Sequence, residues 1–169
     1  MRARVRIPAT LYAAALADLK RPHAFAAERV GFMSARVGNR SGDPMLVLAT
    51  GYEPVADDHY IEDDYVGARI NADAIRANMQ RILDTGEGSF HVHLHPHRGA
   101  PQLSRTDRRE IPRLVKSFRP VGPGAAHGII VLSEDRALGV VWGPGEPEPI
   151  EADEITVVEW PLRFLGGRR

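Results

Sequence analysis

Residues 89–95, Ser-Phe-His-Val-His-Leu-His, place apolar side chains and histidines in strict alternation. Successive side chains of a β-strand point to opposite faces of the sheet, so Phe90, Val92 and Leu94 share one face. The three histidines share the other face. Pro96 follows directly and ends the strand. The pattern therefore predicts a strand that buries one face in the core and carries three imidazoles on the other.

Helices and strands alternate along the rest of the chain. Apolar residues spaced three and four apart predict three helices, which begin near Thr10, Asn71 and Ser104. Apolar runs bounded by turn residues predict the other strands, at Val30–Val37, 45–51, part of 60–70, His127–Leu132, Ala137–Trp142 and 155–160. The basic end of the chain, 162–169, is expected to be frayed. This order predicts a mixed α/β fold with a mixed sheet flanked by helices.

Length and composition narrow the class of protein. The 169 residues predict a single domain spanning 1–169, since one core usually takes ~100–200 residues. The 22 basic and 22 acidic side chains cancel, which argues against a protein that coats nucleic acid. Apolar runs fall short of the ~20 residues of a membrane span, so we expect no membrane partner and a cytoplasmic location.

The chain has no cysteine, so a bound metal ion would need histidine and carboxylate ligands. His93 and His95 lie two residues apart on one strand face, close enough to bind one divalent ion. Asp107, at the start of the next predicted helix, is the candidate third ligand, and Ser104 would lie beside it. The sequence Ser104-Arg-Thr-Asp107 also has the pattern of a capping box, in which the carboxylate serves the helix N-terminus instead.

These residues together resemble the JAMM signature of the JAB/MPN metalloprotease family. The signature is His-x-His-Pro, a short loop and Ser-x-x-Asp, with an essential glutamate far upstream. Here the two parts are His93-Leu-His95-Pro96 and Ser104-Arg-Thr-Asp107. Glu28 is similar to the upstream glutamate, because it lies between the first predicted helix and the Val30–Val37 strand. The order of predicted elements also resembles the family's, from the first helix through Phe118.

The resemblance implies a fold, a cofactor and roles for individual residues. The fold would be JAB/MPN-like, a cytidine-deaminase-like three-layer arrangement with a mixed curved sheet flanked by helices. The cofactor would be Zn²⁺, with His93, His95 and Asp107 as its ligands. Glu28 would be the general base and then the general acid. Ser104 would donate a hydrogen bond to the developing oxyanion.

The implied function is that of a zinc metalloprotease, similar to stand-alone, deubiquitinase-like isopeptidases. It would hydrolyse the bond after the Gly-Gly tail of a ubiquitin-like modifier, in deconjugation or in precursor processing. Its partners would be the modifier or its conjugates, with an associated activating and conjugating enzyme system as a further candidate.

Two other functions remain open at the level of the sequence. One is a non-catalytic interaction scaffold of the same fold. The other is a binding module with structural zinc, which would need a fourth ligand such as His91 or His97. His91 lies further from Pro96 than the two candidate ligands, so we expect it to lie beside the ligands or to face solvent. The isolated His127 is expected to be a hydrogen-bonded core residue.

Overall fold

The computed structural model describes residues 1–38, 42–159 and 161–167. Within these residues the helices are α1 (Ala9–Leu19), α2 (Ala72–Thr85) and α3 (Arg105–Phe118). The strands are β1 (Ala3–Pro8), β2 (Val30–Val37), β3 (Met45–Pro54), β4 (Gly88–Leu94), β5 (His127–Leu132), β6 (Ala137–Trp142), β7 (Ile150–Glu151), β8 (Glu154–Val158) and β9 (Arg163–Gly166). The predicted mixed α/β class is confirmed. In the part of the chain described, no helix has the length and apolar character needed to cross a membrane.

The strands form one mixed sheet in the order β7-β6-β5-β4-β2-β3-β1-β8-β9. β1 runs parallel to β3 and β8, and β4 runs parallel to β5, whereas β2 is antiparallel to both of its neighbours. The sheet is curled, because β6 contacts β8 and β9 although these strands lie near opposite ends of the order. Gly166 permits this contact, since a Cβ at residue 166 would overlap the carbonyl oxygen of Ala137.

The helices cover both faces of this sheet. α1 lies on the inner face of the curl, where it shares one core with the apolar side chains of β4. α2 and α3 lie on the other face, where Ile82 and Phe118 pack with Phe32 of β2. Closer to the N-terminus of α3, Ile111 and Val115 pack against β5. The alternation of residues 89–95 is therefore confirmed: the apolar side chains face α1, and the histidines face the side of α3.

Several predicted elements are confirmed. β2 and β3 are antiparallel neighbours, as are β5 and β6, so both predicted hairpin pairings are present. The Asn71 side chain caps α2 by accepting hydrogen bonds from two backbone N–H groups, each at 3.0 Å. Gly86 ends α2 in the left-handed conformation, at φ 68°. Residues 39–41, in the predicted turn between β2 and β3, lie outside the described residues.

Three details of the predicted outline are wrong. Segment 60–70 is a loop held by a single bridge between Tyr60 and Ile70, because its acidic run, 62–64, favours solvent over a sheet. Thr10 does not cap α1, which begins at Ala9 directly after β1. The C-terminal end is ordered as β9, whose Leu165 is buried in the core. Trp160, the last residue of the predicted strand 155–160, and residues 168–169 lie outside the described residues.

The N-terminal strand β1 was not predicted at all. Its residues alternate, with Ala3, Val5 and Ile7 buried in the core that α1 covers. The intervening Arg4 and Arg6 form ion pairs with Glu154 of β8, at 3.6 and 2.7 Å. The alternation is visible in the sequence, but the arginines make the segment look like a charged terminus.

Candidate metal centre

The candidate histidine ligands are carried by an inner strand. β4 pairs with β2 on one side and with β5 on the other, where Val30 and Val131 lie beside His93. The backbone at His95 is also held, because its N–H donates to the carbonyl oxygen of Leu132 at 2.8 Å. The two imidazoles therefore project from backbone that is fixed by hydrogen bonds on both sides.

His93 and His95 point their Nε2 atoms at the same place. The two atoms are 3.2 Å apart, and the ring centroids are 5.0 Å apart. Two imidazole nitrogens at ~2.0–2.1 Å from one tetrahedral zinc ion lie about 3.3–3.4 Å from each other. A hydrogen bond between the rings would give a similar distance, so the surrounding donors decide whether the pair could bind a metal ion.

Two carboxylates approach this pair of nitrogens. Glu28, His93 and His95 form a group whose ligand atoms all lie within 4.8 Å of one another. Asp107 Oδ2 lies 3.7 Å from His93 Nε2. Either carboxylate can supply an oxygen atom as the third protein ligand. A water molecule would then be the fourth ligand of a catalytic zinc site. The donor set of histidine nitrogens and carboxylate oxygens therefore fits a divalent ion such as zinc.

Asp107 forms the predicted capping box, whereas among the described residues the close group of possible metal ligands contains Glu28 and not Asp107. The Ser104 backbone N–H donates to Asp107 Oδ2 at 2.8 Å, and the Asp107 N–H donates to Ser104 Oγ at 3.0 Å. These two bonds are the predicted capping box at the start of α3. A carboxylate has about four lone-pair positions, so capping leaves positions that can still bind a metal ion.

Glu28 reaches the site from the segment before β2. Its N–H donates to the carbonyl oxygen of Gly67 at 3.1 Å. The next residue, Arg29, is only 2% exposed, and its guanidinium donates to the carbonyl oxygens of Arg21 and Pro22. Arg29 also bonds the Asp57 carboxylate at 2.6 Å. This anchoring on both sides fixes the backbone from which Glu28 projects.

The electrostatics of the site favour binding of a cation. Burial, followed by the neighbouring His91, lowers the pKa of His93 to about 3. Burial also lowers the pKa of His95. Both imidazoles are therefore neutral at pH 7, which is the form that binds metal ions. Burial, followed by the negative charge of Asp107, raises the pKa of Glu28 to about 7.

Ser104 lies at the mouth of the site with a free hydroxyl hydrogen. Its Oγ accepts the N–H of Asp107, and this uses only a lone pair. The O–H remains able to donate to another acceptor. Ser104 and the two candidate carboxylates line the same cleft, so a molecule in the cleft could accept this hydrogen bond.

The cleft that contains these groups has a volume of about 840 Å³. Its walls are the loop 63–70 and the face of α3 that carries Thr106 and Arg109, with His91 and His95 at its base. Sites for small molecules or peptide segments are commonly of this size. The sequence did not identify the loop as part of the site, because its expected role was that of a strand.

The other histidines do not complete a four-ligand site. In the described part of the chain, the close donor group contains neither His91 nor His97. His91 lies beside His93 and lines the cleft, whereas His97 is exposed and lies 3.0 Å from the carbonyl oxygen of Arg98. His127 is a buried core residue, as expected: its Nδ1 accepts the Ser89 N–H at 3.2 Å, and its Nε2 lies 3.0 Å from the carbonyl oxygen of Gly122.

Comparisons with models of protein families and with curated proteins give no match for this chain.

Proposed function

We propose that this chain is a zinc-dependent isopeptidase of the JAMM type, on a JAB/MPN-like fold, which cleaves after the Gly-Gly tail of a ubiquitin-like modifier. The observation that supports the proposal most strongly is the approach of two imidazole Nε2 atoms to 3.2 Å with carboxylates of two other segments beside them. Glu28, His95 and Asp107 border one open cleft, where a substrate could reach them, and His93 is buried beside them.

In this proposal His93, His95 and Asp107 hold the zinc ion. When bound, the ion lowers the pKa of a water molecule toward about 7 and so supplies a nucleophile at neutral pH. Asp107 is available as a ligand because its capping bonds leave lone pairs free. The fixed backbone of β4 keeps the two imidazoles at the separation that a tetrahedral ion requires.

Glu28 is the general base and then the general acid in this proposal. Its carboxylate lies within 4.8 Å of the ligand nitrogens of His93 and His95, so it can reach a water molecule held between them. It accepts the proton of the attacking water and later delivers it to the nitrogen of the leaving amine. A carboxylate whose pKa is raised toward the working pH is suited to both steps.

Ser104 stabilises the charge that develops on the carbonyl oxygen of the substrate. Its free O–H would donate a hydrogen bond to that oxygen, an interaction worth about 2.7–4 kcal/mol at comparable sites. The capping bond from the Asp107 N–H orients the Ser104 side chain before substrate arrives. The helix N-terminus behind it adds a favourable field for negative charge.

The substrate class is the one that the resemblance to the JAMM signature implies, and the cleft indicates how such a substrate could lie. β4 has neighbours on both sides, so an extended peptide cannot pair with it and would instead lie along the loop 63–70. A Gly-Gly tail could lie close to the wall of the cleft, since glycine has no Cβ to contact it. The folded body of the modifier would dock around 60–65, where Tyr65 is 96% exposed and lies at the edge of the cleft.

The test is a panel of purified ubiquitin-like modifiers, each joined to a lysine side chain or to a short C-terminal extension. Each is prepared with an intact Gly-Gly tail and, as a matched control, with Ala-Ala in its place. We expect cleavage of the Gly-Gly versions only, loss of cleavage with a chelator, and recovery with zinc. Equal cleavage of both tails would rule out this substrate class. Zinc binding without cleavage of any modifier would favour a non-catalytic scaffold.

A further inference from the structure

Gly67, in the loop 63–70, lies directly against the side chain of Glu28. A Cβ at residue 67 would be 2.5 Å from Glu28 Oε1 and 2.6 Å from its Cδ. Ordinary carbon contacts are about 3.5–4.0 Å. The space that a side chain at residue 67 would fill is therefore the space that the Glu28 carboxylate occupies.

The backbone conformation does not explain a glycine here. Among the described residues the glycines with positive φ are Gly86, Gly99, Gly145 and Gly167, and residue 67 is not one of them. Alanine could adopt the same backbone angles without strain. A Cβ at residue 67 would instead overlap the side chain of Glu28.

Few other contacts hold the Glu28 carboxylate in place. Within the described chain it accepts no hydrogen bond from a side chain or a backbone N–H, whereas Asp107 accepts one from Ser104. The Glu28 backbone N–H is bound to the carbonyl oxygen of Gly67, so the same residue contacts both the backbone and the side chain of Glu28.

We infer that Gly67 is a positioning residue for Glu28: by leaving this space open, it lets the carboxylate lie within reach of the histidine nitrogens. The near atoms are the end of a flexible side chain, so a Cβ at residue 67 moves the carboxylate rather than the loop backbone. The geometric inference stands on these contacts alone. Its consequence for reaction rate rests on the proposed function.

The first experiment compares crystal structures of the wild type and Gly67→Ala. We expect the Glu28 carboxylate to move by about 1 Å or more, the shift that restores an ordinary contact distance, with β4 unchanged. Gly51→Ala is the matched control, because a Cβ there has nothing nearer than 3.8 Å. A Gly67→Ala structure with the carboxylate in its wild-type place overturns the inference, whether or not the protein is an enzyme.

The second experiment measures zinc affinity and steady-state kinetics of the same variants. For Gly67→Ala we expect wild-type zinc affinity, unchanged KM and a kcat lower by about 10- to 100-fold, since a displacement of 1 Å can cost this much. Gly51→Ala should match the wild type in all three. In a Glu28→Gln background, Gly67→Ala should lower the residual kcat no further, because it acts through the carboxylate.

The outcomes separate the two ideas. A moved carboxylate in a protein that cleaves no modifier contradicts the proposed function and leaves the positioning role intact. A further tenfold loss of kcat on adding Gly67→Ala to Glu28→Gln contradicts the positioning role and leaves the proposed function intact.

Discussion

The carboxylates of Asp107 and Glu28 lie in one small region of the candidate site, but they differ in their contacts and in their surroundings. Asp107 Oδ2 is 3.7 Å from His93 Nε2 and is already bonded to the Ser104 N–H. The ligand atoms of Glu28 and of both histidines lie within 4.8 Å of one another, and the pKa of Glu28 is raised to about 7, by burial first and by Asp107 second. A group that can lose and gain a proton near neutral pH suits proton transfer, which is the role proposed for Glu28.

The assignment predicts opposite effects of two substitutions. Asp107→Ala should lose most of the bound zinc, which elemental analysis measures as a fall from about one equivalent per chain. Glu28→Gln should keep the zinc and the wild-type unfolding midpoint while kcat falls by about 100-fold or more, because proton transfer is removed. His97→Ala is the control, since His97 is exposed and outside the donor group. Zinc lost from Glu28→Gln and kept by Asp107→Ala would reverse the two roles.

At the level of the secondary-structure element, the N-terminus of α3 carries a capping box and also borders the candidate site. The capping box holds the first turn of α3 together, and the same Ser104 hydroxyl faces the cleft. Loss of a serine cap usually costs about 1 kcal/mol of stability, and aspartate caps a helix as well as serine does. The capping role of Ser104 and its proposed role as a hydrogen-bond donor can therefore be separated by the choice of substituent.

We expect Ser104→Ala to lower both the free energy of unfolding, by about 1 kcal/mol, and the rate of hydrolysis, by about 100-fold or more. Ser104→Asp should keep the stability, because its carboxylate accepts the Asp107 N–H, but lose the activity, because it has no hydrogen to donate. Urea unfolding and kcat measure the two effects. Wild-type activity in Ser104→Asp would show that the hydroxyl contributes only the cap.

The elements differ in how well they could be predicted from sequence. β4 was predictable because three large apolar side chains alternate with polar ones, and α3 because Ser104 and Asp107 mark its start. β1 was missed because its core residues are small or lie between arginines whose partner, Glu154, is remote in sequence. The loop 60–70 was mistaken for a strand because only long-range contacts decide whether its short apolar runs join the sheet.

The residues of the candidate site also differ in whether they could be predicted from the sequence. His93 and His95 could be predicted as candidate ligands because they lie two residues apart on one strand, and Asp107 because it begins the next predicted helix. Glu28 was identified only through the family resemblance, since nothing near it in sequence indicates a site. Gly67 contacts Glu28, and Arg29 binds a carboxylate of another segment. In both contacts the partners are far apart in the sequence and meet only in the folded chain.

At the scale of the whole molecule, the candidate ligands join distant parts of the chain. Glu28 precedes β2, the histidines belong to β4 and its end, and Asp107 belongs to α3. The unfolded chain does not hold these groups together, so we expect zinc to bind the folded protein far more strongly. A ligand of the folded state stabilises it by about 2.7 kcal/mol at one hundred times its dissociation constant.

The unfolding temperature should therefore rise with zinc concentration and fall after chelation, as measured by calorimetry or circular dichroism. His93→Ala should unfold at the same temperature with and without zinc, which separates the specific site from binding elsewhere. His127→Ala is not a suitable control, since His127 bonds the core backbone. An identical unfolding temperature for the wild type before and after chelation would contradict a metal site built from these segments.

The inner place of β4 also bears on how the site can open. The histidine-bearing backbone is paired on both sides, so its amides are exposed to solvent only when the sheet itself separates. The opposite wall, 60–70, belongs to no strand, and its backbone is held by the bridge between Tyr60 and Ile70 and by the bond from the Glu28 N–H to the Gly67 carbonyl oxygen. We therefore expect amide hydrogen exchange to be faster along 60–70 than along β4, so that a bulky ligand could leave past the loop while the histidines keep their positions.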